Sequence, residues 1–387
     1  MTENTLSRWV SAHSVAPFEA YEGFVPDTAG RTVRCSIPAG ISGNRVRLVL
    51  TGRLSKDAVT YGCVALGAKG KVCRLTFGGS EAVTVPADGS EMISDPAELT
   101  VAAGDNIELW LYNSGSTYSM TATRLDSRHS APGCFCGADF EPEGFESMDG
   151  SIGEPLCSYC RLEVETDDAS ACAIGAFGDS ITAMELWTPP LRERISALRP
   201  QTALVNLGIG GNRLLRDTGF PLHPGVEFFG RSGLSRFDSD CLAQPGLKGI
   251  IIALGINDLG APGDDPQWNP PRSEFPTFEQ LTEGYVTLVN RCREHGLNVA
   301  CATITPLCGT WTYTAEVENM RWAVNDWIRN SGLFDAVLDF DSAIGQGKGQ
   351  PMLSEYDSGD HIHPNKEGGK AMADAVDAAA LLEALVK

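Results

Sequence analysis

The sequence has few positive charges and no long hydrophobic run. Its 387 residues include 30 Lys and Arg against 50 Asp and Glu, which gives a formal net charge of −20. A surface this acidic repels nucleic acid and anionic lipid, so the composition excludes a polyanion-binding protein. No apolar stretch approaches the ~20 residues of a membrane-spanning helix, and we expect no membrane partner.

The sequence also lacks the pattern of a secretory signal at its start. Residues 1–9 contain neither a basic segment nor an apolar segment of the kind that directs secretion. The twelve cysteines are mostly scattered, which in a chain without a leader is typical of reduced thiols. The expected location is therefore the cytoplasm.

The length and a change of pattern along the chain predict two domains. At roughly 150 residues per domain, 387 residues exceed one ordinary core. Between residues 30 and 125, short β patterns separated by Gly, Asp, Asn and Pro indicate an antiparallel sandwich or jelly roll. We predict this all-β domain at residues 1–130, a cysteine-bearing connector at 131–170 and an α/β domain at 171–387.

In the second half, buried-looking strands alternate with amphipathic helices. Such alternation predicts a parallel sheet covered by helices on both faces. The predicted strands are 173–177, 202–207, 249–254, 299–304 and 336–340, and the predicted helices are 189–198, 234–243, 277–295, 315–330 and 365–385. Ligands of such sheets bind beyond the carboxyl ends of the strands, so functional residues are expected in the turns that follow each strand.

The predicted connector holds two closely spaced cysteine pairs. Cys134 and Cys136 form one pair, and Cys157 and Cys160 form the other, with twenty residues between the two pairs. Four thiolates can hold a structural Zn²⁺ in tetrahedral geometry. Unpaired thiols or one disulfide are the alternatives. A catalytic zinc is not favoured, since no histidine or carboxylate pattern around the cysteines leaves an open position.

The first predicted strand ends in Gly178-Asp179-Ser180-Ile181-Thr182. A serine at a strand-to-helix turn places its hydroxyl at the edge of the sheet, where a helix N-terminus favours a developing anion. The alternative is that these residues only cap the following helix.

Two further strands end in turns that could supply hydrogen-bond donors. Residues 206–212 contain Gly208, Gly210 and Gly211, and glycine lets a backbone amide approach a ligand closely. A flexible loop is the alternative, and no Lys-Ser/Thr follows as a phosphate loop requires. The next strand is followed by Asn257, whose amide could point into the same space or form an Asx-turn.

The segment before the final predicted helix contains an Asp and two His residues. Asp360 lies three residues before His363 and could accept its Nδ1 proton, which would leave Nε2 free as a base. A solvated acid–histidine turn is the alternative. His361 competes for the role of base, but its side chain should point away from that of His363 in an extended segment.

Together these four turns resemble those of the SGNH hydrolases, also called the GDSL esterase/lipase family. The family has four conserved sequence blocks. Residues 178–182 resemble the first of them, with Ile181 where Leu is commoner. The second block resembles residues 206–212, although Gly210 stands where the family usually has Ser. The third and last blocks match residues 255–258 and 360–364.

This resemblance covers residues 173–386 and implies a three-layer α/β/α, flavodoxin-like domain. A weaker resemblance in the first half concerns a bacterial subgroup with a β-sandwich ahead of the hydrolase domain. It is carried by Trp9-Val-Ser-Ala, Leu75-Thr-Phe-Gly-Gly79 and Ser94-Asp95-Pro96.

By the resemblance, Ser180 is the nucleophile, His363 the general base and then acid, and Asp360 the residue that orients it. The backbone N–H groups of Ser180 and Gly211 and the side-chain amide of Asn257 would form the oxyanion hole. No metal or organic cofactor is needed for this chemistry. The Gly-x-Ser-x-Gly elbow of α/β-hydrolases is absent, which argues against that fold.

The implied reaction is hydrolysis of a carboxylic ester. Trp187, Trp268 and Trp311 lie on segments expected to overhang the site, where they could stack on a sugar, or they could simply anchor the loops. With no long apolar lid, we favour a short acyl group, such as acetyl, on a carbohydrate or small molecule. A carbohydrate-binding protein with an inert hydrolase domain, and an acyltransferase or thioesterase using the same nucleophile, are the alternatives.

Overall fold

The computed structural model describes residues 7–25, 27–125, 127–137, 145–146, 155–218, 225–265 and 269–386. The chain divides into two compact units. The first comprises Met1–Ala171 and Pro200–Val205, and the second comprises Cys172–Arg199 and Asn206–Lys387.

The first unit is β-rich, as predicted. Its described strands are β1 (Arg8–Ser14), β2 (Phe18–Glu19), β3 (Arg31–Pro38), β4 (Gly43–Thr51), β5 (Val59–Ala68), β6 (Lys71–Arg74), β7 (Val83–Val85), β8 (Glu91–Ile93), β9 (Ala97–Val101), β10 (Asn106–Asn113), β11 (Thr121–Arg124), β12 (Ser127–Pro132), β13 (Phe145–Glu146), β14 (Pro155–Cys157) and β15 (Tyr159–Thr166).

These strands pair antiparallel in three sheets. One sheet has the order β1-β15-β4-β8, with β9 also on β4; a second has the order β13-β12-β3-β10-β5-β6, with β7 also on β5. The third joins β14, β11 and β2. Val33, Cys35 and Ile37 on β3 share one face of the strand, as period-two alternation requires, and all three are buried.

The prediction of a connector at 131–170 is wrong for residues 159–166, because they form β15, an interior strand of a sheet. It lies between β1 and β4, and Leu162 and Val164 are fully buried. The sequence did not indicate this strand, because its charged residues are typical of an exposed segment. Arg161 donates to Glu163 at 2.6 Å and to Glu91 at 2.6 and 2.7 Å, so the charges are paired within the fold.

The second unit has the predicted parallel sheet flanked by helices. The sheet order is β17-β16-β18-β19-β20, with β16 (Cys172–Gly178), β17 (Thr202–Asn206), β18 (Leu247–Ala253), β19 (Asn298–Ala302) and β20 (Ala336–Leu338). The described helices are α1 (Ser180–Ala183), α2 (Thr188–Leu198), α3 (Gly233–Phe237), α4 (Ile256–Gly260), α5 (Phe278–Glu294), α6 (Ala315–Asn330), α7 (Phe340–Ile344), α8 (Lys366–Asp374) and α9 (Ala378–Leu385). None of them combines the length and apolar content that crossing a bilayer requires.

Two predicted helices are divided in the structure. The helix expected at 234–243 is α3 followed by a π-helical turn, Asp238–Leu242. The helix expected at 365–385 is α8 and α9. Between them Asp377 caps α9, because its Oδ1 accepts the N–H groups of Ala379 and Ala380, each at 3.0 Å.

Replacing the α9 cap should loosen this helix locally. Asp377→Ala removes both cap hydrogen bonds, and a lost N-cap costs about 1 kcal/mol. We expect the amides of α9 to exchange hydrogen about fivefold faster, measured by hydrogen–deuterium exchange and mass spectrometry.

The matched control is Asp374→Ala, three residues earlier, where the carboxylate forms an exposed ion pair with Lys370. This variant should change the exchange of α9 little, because exposed pairs contribute little. Equal acceleration in both variants would contradict the capping role of Asp377.

Candidate active site

Ser180 lies at the first position of α1, directly after the carboxyl end of β16. Asp179, not Ser180, caps the helix: its Oδ1 accepts the N–H of Ile181 at 3.0 Å. The hydroxyl of Ser180 is therefore not used for capping. The residue is 9% exposed, so it is nearly buried at the carboxyl end of the sheet.

Three side chains form a continuous hydrogen-bonded line at this edge. His363 Nε2 lies 2.8 Å from Ser180 Oγ, and His363 Nδ1 lies 2.5 Å from Asp360 Oδ2. The structure thus brings together Ser180, His363 and Asp360. The serine and the histidine are 183 residues apart along the chain. This order of atoms suits proton removal from the serine by Nε2.

The carboxyl of Asp360 is held in its charged form. Partial burial acts against the charge, but hydrogen bonds from the His363 side chain and from the N–H groups of His363 and Ile362 outweigh it. They lower the pKa of Asp360 to about 2. An ionised Asp360 accepts the Nδ1 proton, which leaves the lone pair of Nε2 facing Ser180.

His361 has a partner of its own and does not face the serine. Its Nδ1 lies 2.6 Å from Asp357 Oδ2, and its backbone has φ +66°. Its ring packs against the segment that follows β19, where a Cβ on Gly309 would come within 2.9 Å of the ring. The two histidines therefore belong to separate acid–histidine pairs.

Gly211 and Asn257 lie on adjoining turns at the same sheet edge. Gly211 has φ +71°, and a Cβ there would lie 2.4 Å from the Phe229 ring, so the position requires glycine. Asn257 Nδ2 donates one hydrogen to the carbonyl of Asn212 at 3.1 Å. An amide carries two such hydrogens, so a second remains for a bound oxygen.

Sequence reasoning missed Arg236, a buried side chain that ties these turns together. Its guanidinium donates to the carbonyls of Gly178 and Leu207, each at 2.9 Å, and to Asn212 Oδ1 at 2.9 Å. It also pairs with Asp240 at 2.8 Å. An Arg and an Asp four residues apart on a helix are typical of a solvated face, so this spacing does not indicate a buried role.

Two further carboxyls lie buried beneath the site. Burial raises the pKa of Asp179 to about 7, and the nearby carboxyl of Asp258 adds to this, while the N–H of Ile181 and the charge of Arg236 act in the opposite direction. Burial also raises the pKa of Asp258 to about 6, although it accepts the N–H of Leu214 at 2.7 Å. Both carboxyls hold backbone N–H groups of the turns: Asp179 accepts that of Ile181, and Asp258 accepts those of Leu214 and Leu215.

The three tryptophans expected near the site have different positions. Trp187 is fully buried against Phe340, with ring centroids 5.2 Å apart, so the prediction that it contacts substrate is wrong. Its place at the start of α2 puts the indole into the core. Trp311 is 76% exposed, and Trp268 lies outside the described residues.

The four predicted zinc ligands are not brought together. Cys134 and Cys136 lie with Cys63 of β5, and the three sulfur atoms are all within 4.8 Å of one another. Cys157 and Cys160 are buried on β14 and β15 and are not in this group. Sequence spacing could not reveal Cys63, because strand pairing supplies it from 71 residues away.

The arrangement agrees with a known enzyme family. Residues 176–371 match the GDSL-like lipase/acylhydrolase family, about half of the 387 residues. The chain belongs to this family. No curated protein sequence matches the chain.

Solved structures of other acylhydrolases resemble about 55% of the chain. They include an acetylxylan esterase from Geobacillus stearothermophilus (17% identity, TM-score 0.40, 93% of that chain covered). Others are a carbohydrate acetylesterase family member from Sinorhizobium meliloti (18%, 0.41, 99%) and a GDSL-like lipase from Bacteroides thetaiotaomicron (14%, 0.39, 88%). Membership of the family rests on the sequence match, and these likenesses identify no substrate.

The raised pKa of Asp179 should make the stability of this GDSL-like domain depend on pH. The folded chain keeps the Asp179 proton up to about pH 7, whereas the unfolded chain loses it near the ordinary pKa of 3.8. Its contribution to stability is therefore complete below pH 3.8 and is lost as the pH rises through 7.

Asp179→Asn cannot ionise, so we expect its urea midpoint to improve relative to the parent chain between pH 4.5 and about 7.5. Asp374→Asn, on the exposed end of α8, is the control and should follow the parent. A difference between Asp179→Asn and the parent that does not change with pH would contradict the raised pKa.

Proposed function

We propose that the chain is a serine esterase that hydrolyses a carboxylic ester through an acyl-enzyme. The observation that carries this proposal is the line Ser180 Oγ–His363 Nε2–Asp360, with hydrogen-bond distances of 2.8 and 2.5 Å. A nucleophile, a base and an orienting carboxylate at these distances fit acyl transfer. An inert domain has no physical need to keep them aligned.

In the first half-reaction, His363 Nε2 takes the proton of Ser180 while Oγ attacks the ester carbonyl carbon. The carbonyl oxygen becomes an anion. The N–H groups of Ser180 and Gly211 and the free amide hydrogen of Asn257 would stabilise it, and losing one such donor typically costs on the order of 10²–10³ in kcat. The intermediate collapses, the alcohol leaves with the proton from Nε2, and the acyl group stays on Oγ.

In the second half-reaction, water repeats the attack on the acyl-enzyme. His363 Nε2 takes a proton from the water and returns it to Ser180 Oγ as the acid is released. Asp360 stays ionised throughout, since its pKa of about 2 is far below neutral pH. Its charge stabilises the imidazolium that forms twice in each turnover.

The substrate we propose is a short acyl ester, of the acetyl type, on a carbohydrate or small molecule. Trp311 supports this choice, because its exposed indole is two residues from Gly309, which lies against the ring of His361. An exposed indole on this loop gives a flat apolar surface on which a sugar ring could stack.

The roles of the two histidines can be separated by one pair of variants. We expect His363→Gln to lower kcat/KM for p-nitrophenyl acetate at least on the order of 10³-fold, because the base is lost. Ser180→Ala should lose a similar amount. His361→Gln, two residues away, is the matched control and should keep most of the activity.

Steady-state kinetics on the purified full chain provide the measurement. Circular dichroism confirms that each variant is folded. Full activity in Ser180→Ala, or a larger loss in His361→Gln than in His363→Gln, would sink the assignment.

The proposed role of Trp311 predicts a change confined to carbohydrate esters. Trp311→Ala should raise KM for an acetylated xylo-oligosaccharide about 2- to 10-fold, since a stacking surface is lost. KM for p-nitrophenyl acetate should stay the same, and Trp311→Phe should restore most of the affinity. If Trp311→Ala leaves KM for the oligosaccharide unchanged, the indole does not bind sugar.

A further inference from the structure

Outside the active site, the first unit gathers three cysteines at one point. Cys63 on β5 and the pair Cys134 and Cys136 have all three sulfur atoms within 4.8 Å of one another. We propose that these three thiolates form a metal site for a thiophilic ion of the Zn²⁺ class, with one position left for a solvent ligand.

Strand register explains how residues so distant in sequence meet. Thr32 on β3 is paired with Tyr112 on β10, and Tyr112 is paired with Cys63 on β5. Directly paired residues of antiparallel strands point to the same face of the sheet. Thr32, Tyr112 and Cys63 therefore form one row across that face.

The buried Thr32 at one end of the row holds the segment that carries the other two cysteines. Its Oγ1 donates to the carbonyl of Gly133 and accepts the N–H of Phe135, both at 2.9 Å. These bonds fix the backbone on either side of Cys134. Residues 133–135 therefore lie over the face of the sheet that carries the Cys63 side chain.

The turn itself is shaped by glycine at both ends. Gly133 has φ +140° and Gly137 has φ +83°, and a Cβ on Gly137 would come within 3.0 Å of Val72 on β6. Within the turn, Cys136 Sγ lies 3.5 Å from the carbonyl oxygen of Cys63. The sulfur atoms are thus brought together by the backbone and its hydrogen bonds.

The geometry and the donor atoms suit a tetrahedral thiophilic ion. With Zn–S bonds of about 2.3 Å, two thiolates on one tetrahedral zinc lie about 3.8 Å apart, which the present spacing allows after small rotations of the side chains. Sulfur ligands select zinc-class ions over Mg²⁺ and Ca²⁺, which prefer oxygen.

The exposure of the cysteines and the charge around them also fit a site with three protein ligands and one solvent ligand. Cys63 is only 4% exposed while Cys134 is exposed, so the fourth position faces solvent. Three thiolates around a dication leave one negative charge. Arg74 is paired with Ala65, two residues from Cys63 and on the same face, so its guanidinium, which also pairs with Glu81 at 3.6 Å, lies on the side where that charge forms.

Zinc binding by the full chain, purified under reducing conditions and stripped of metal, is the first test. Equilibrium dialysis with metal analysis should give one Zn²⁺ per chain, and Co²⁺ should give the thiolate charge-transfer absorption of a tetrahedral site. Cys63→Ser, Cys134→Ser and Cys136→Ser should each weaken Zn²⁺ binding on the order of 100-fold or more.

Two controls use cysteines outside the group. Cys73→Ser and the double variant Cys157→Ser with Cys160→Ser should bind Zn²⁺ as the parent does. Cys134 is exposed, so Cys134→Ser should fold normally, and circular dichroism of the metal-free variant checks this. In the parent, Zn²⁺ should also slow alkylation of the three clustered thiols and leave that of Cys73 unchanged.

Three results would overturn the metal site. The first is less than stoichiometric Zn²⁺ on the reduced parent chain. The second is equal Zn²⁺ binding by the parent and a folded Cys134→Ser variant, which would mean an adventitious ion. The third is loss of binding in the Cys157 and Cys160 double variant, which would move the site to the other cysteine pair.

Discussion

The hydrogen bonds of the Arg236 guanidinium are the interaction on which the turns around Ser180 depend. The carboxyl ends of parallel strands present carbonyl groups that no further strand residue can pair, and these need donors once water is excluded. Arg236 supplies them to Gly178, the last residue of β16, and to Leu207, which follows β17, and it also donates to the side chain of Asn212. One buried cation therefore joins the serine turn to the glycine turn, together with the Ile209 N–H that donates to the Gly178 carbonyl at 3.1 Å.

Differences in burial and hydrogen bonding give Asp179 and Asp360, two acids of this region, different protonation states. Asp179 is buried with few donors and keeps its proton to about pH 7, whereas Asp360 receives several hydrogen bonds and ionises at about pH 2. The first holds the start of α1, and the second lies 2.5 Å from His363 Nδ1. Two carboxyls of the same chemistry thus take a structural and an electrostatic role.

Most of the second unit could be predicted because hydrophobic period and turn chemistry are local. The parallel strands and the turns carrying Ser180 and Asn257 were evident from the residues themselves. What escaped prediction depends on long-range pairing: the burial of Trp187, the ion pairs that allow β15 to lie inside a sheet, and the approach of Cys63 to Cys134. Such contacts are set by register and packing between distant segments, which no local pattern encodes.

We propose Ser180 as the activated nucleophile. Labelling of the native chain with a fluorophosphonate, followed by tandem mass spectrometry, tests it most directly, because only an activated serine reacts rapidly with this probe. We expect one adduct per chain, located on Ser180 and formed far more slowly in His363→Gln. An adduct on another residue, or equal labelling of Ser180 without His363, would contradict it.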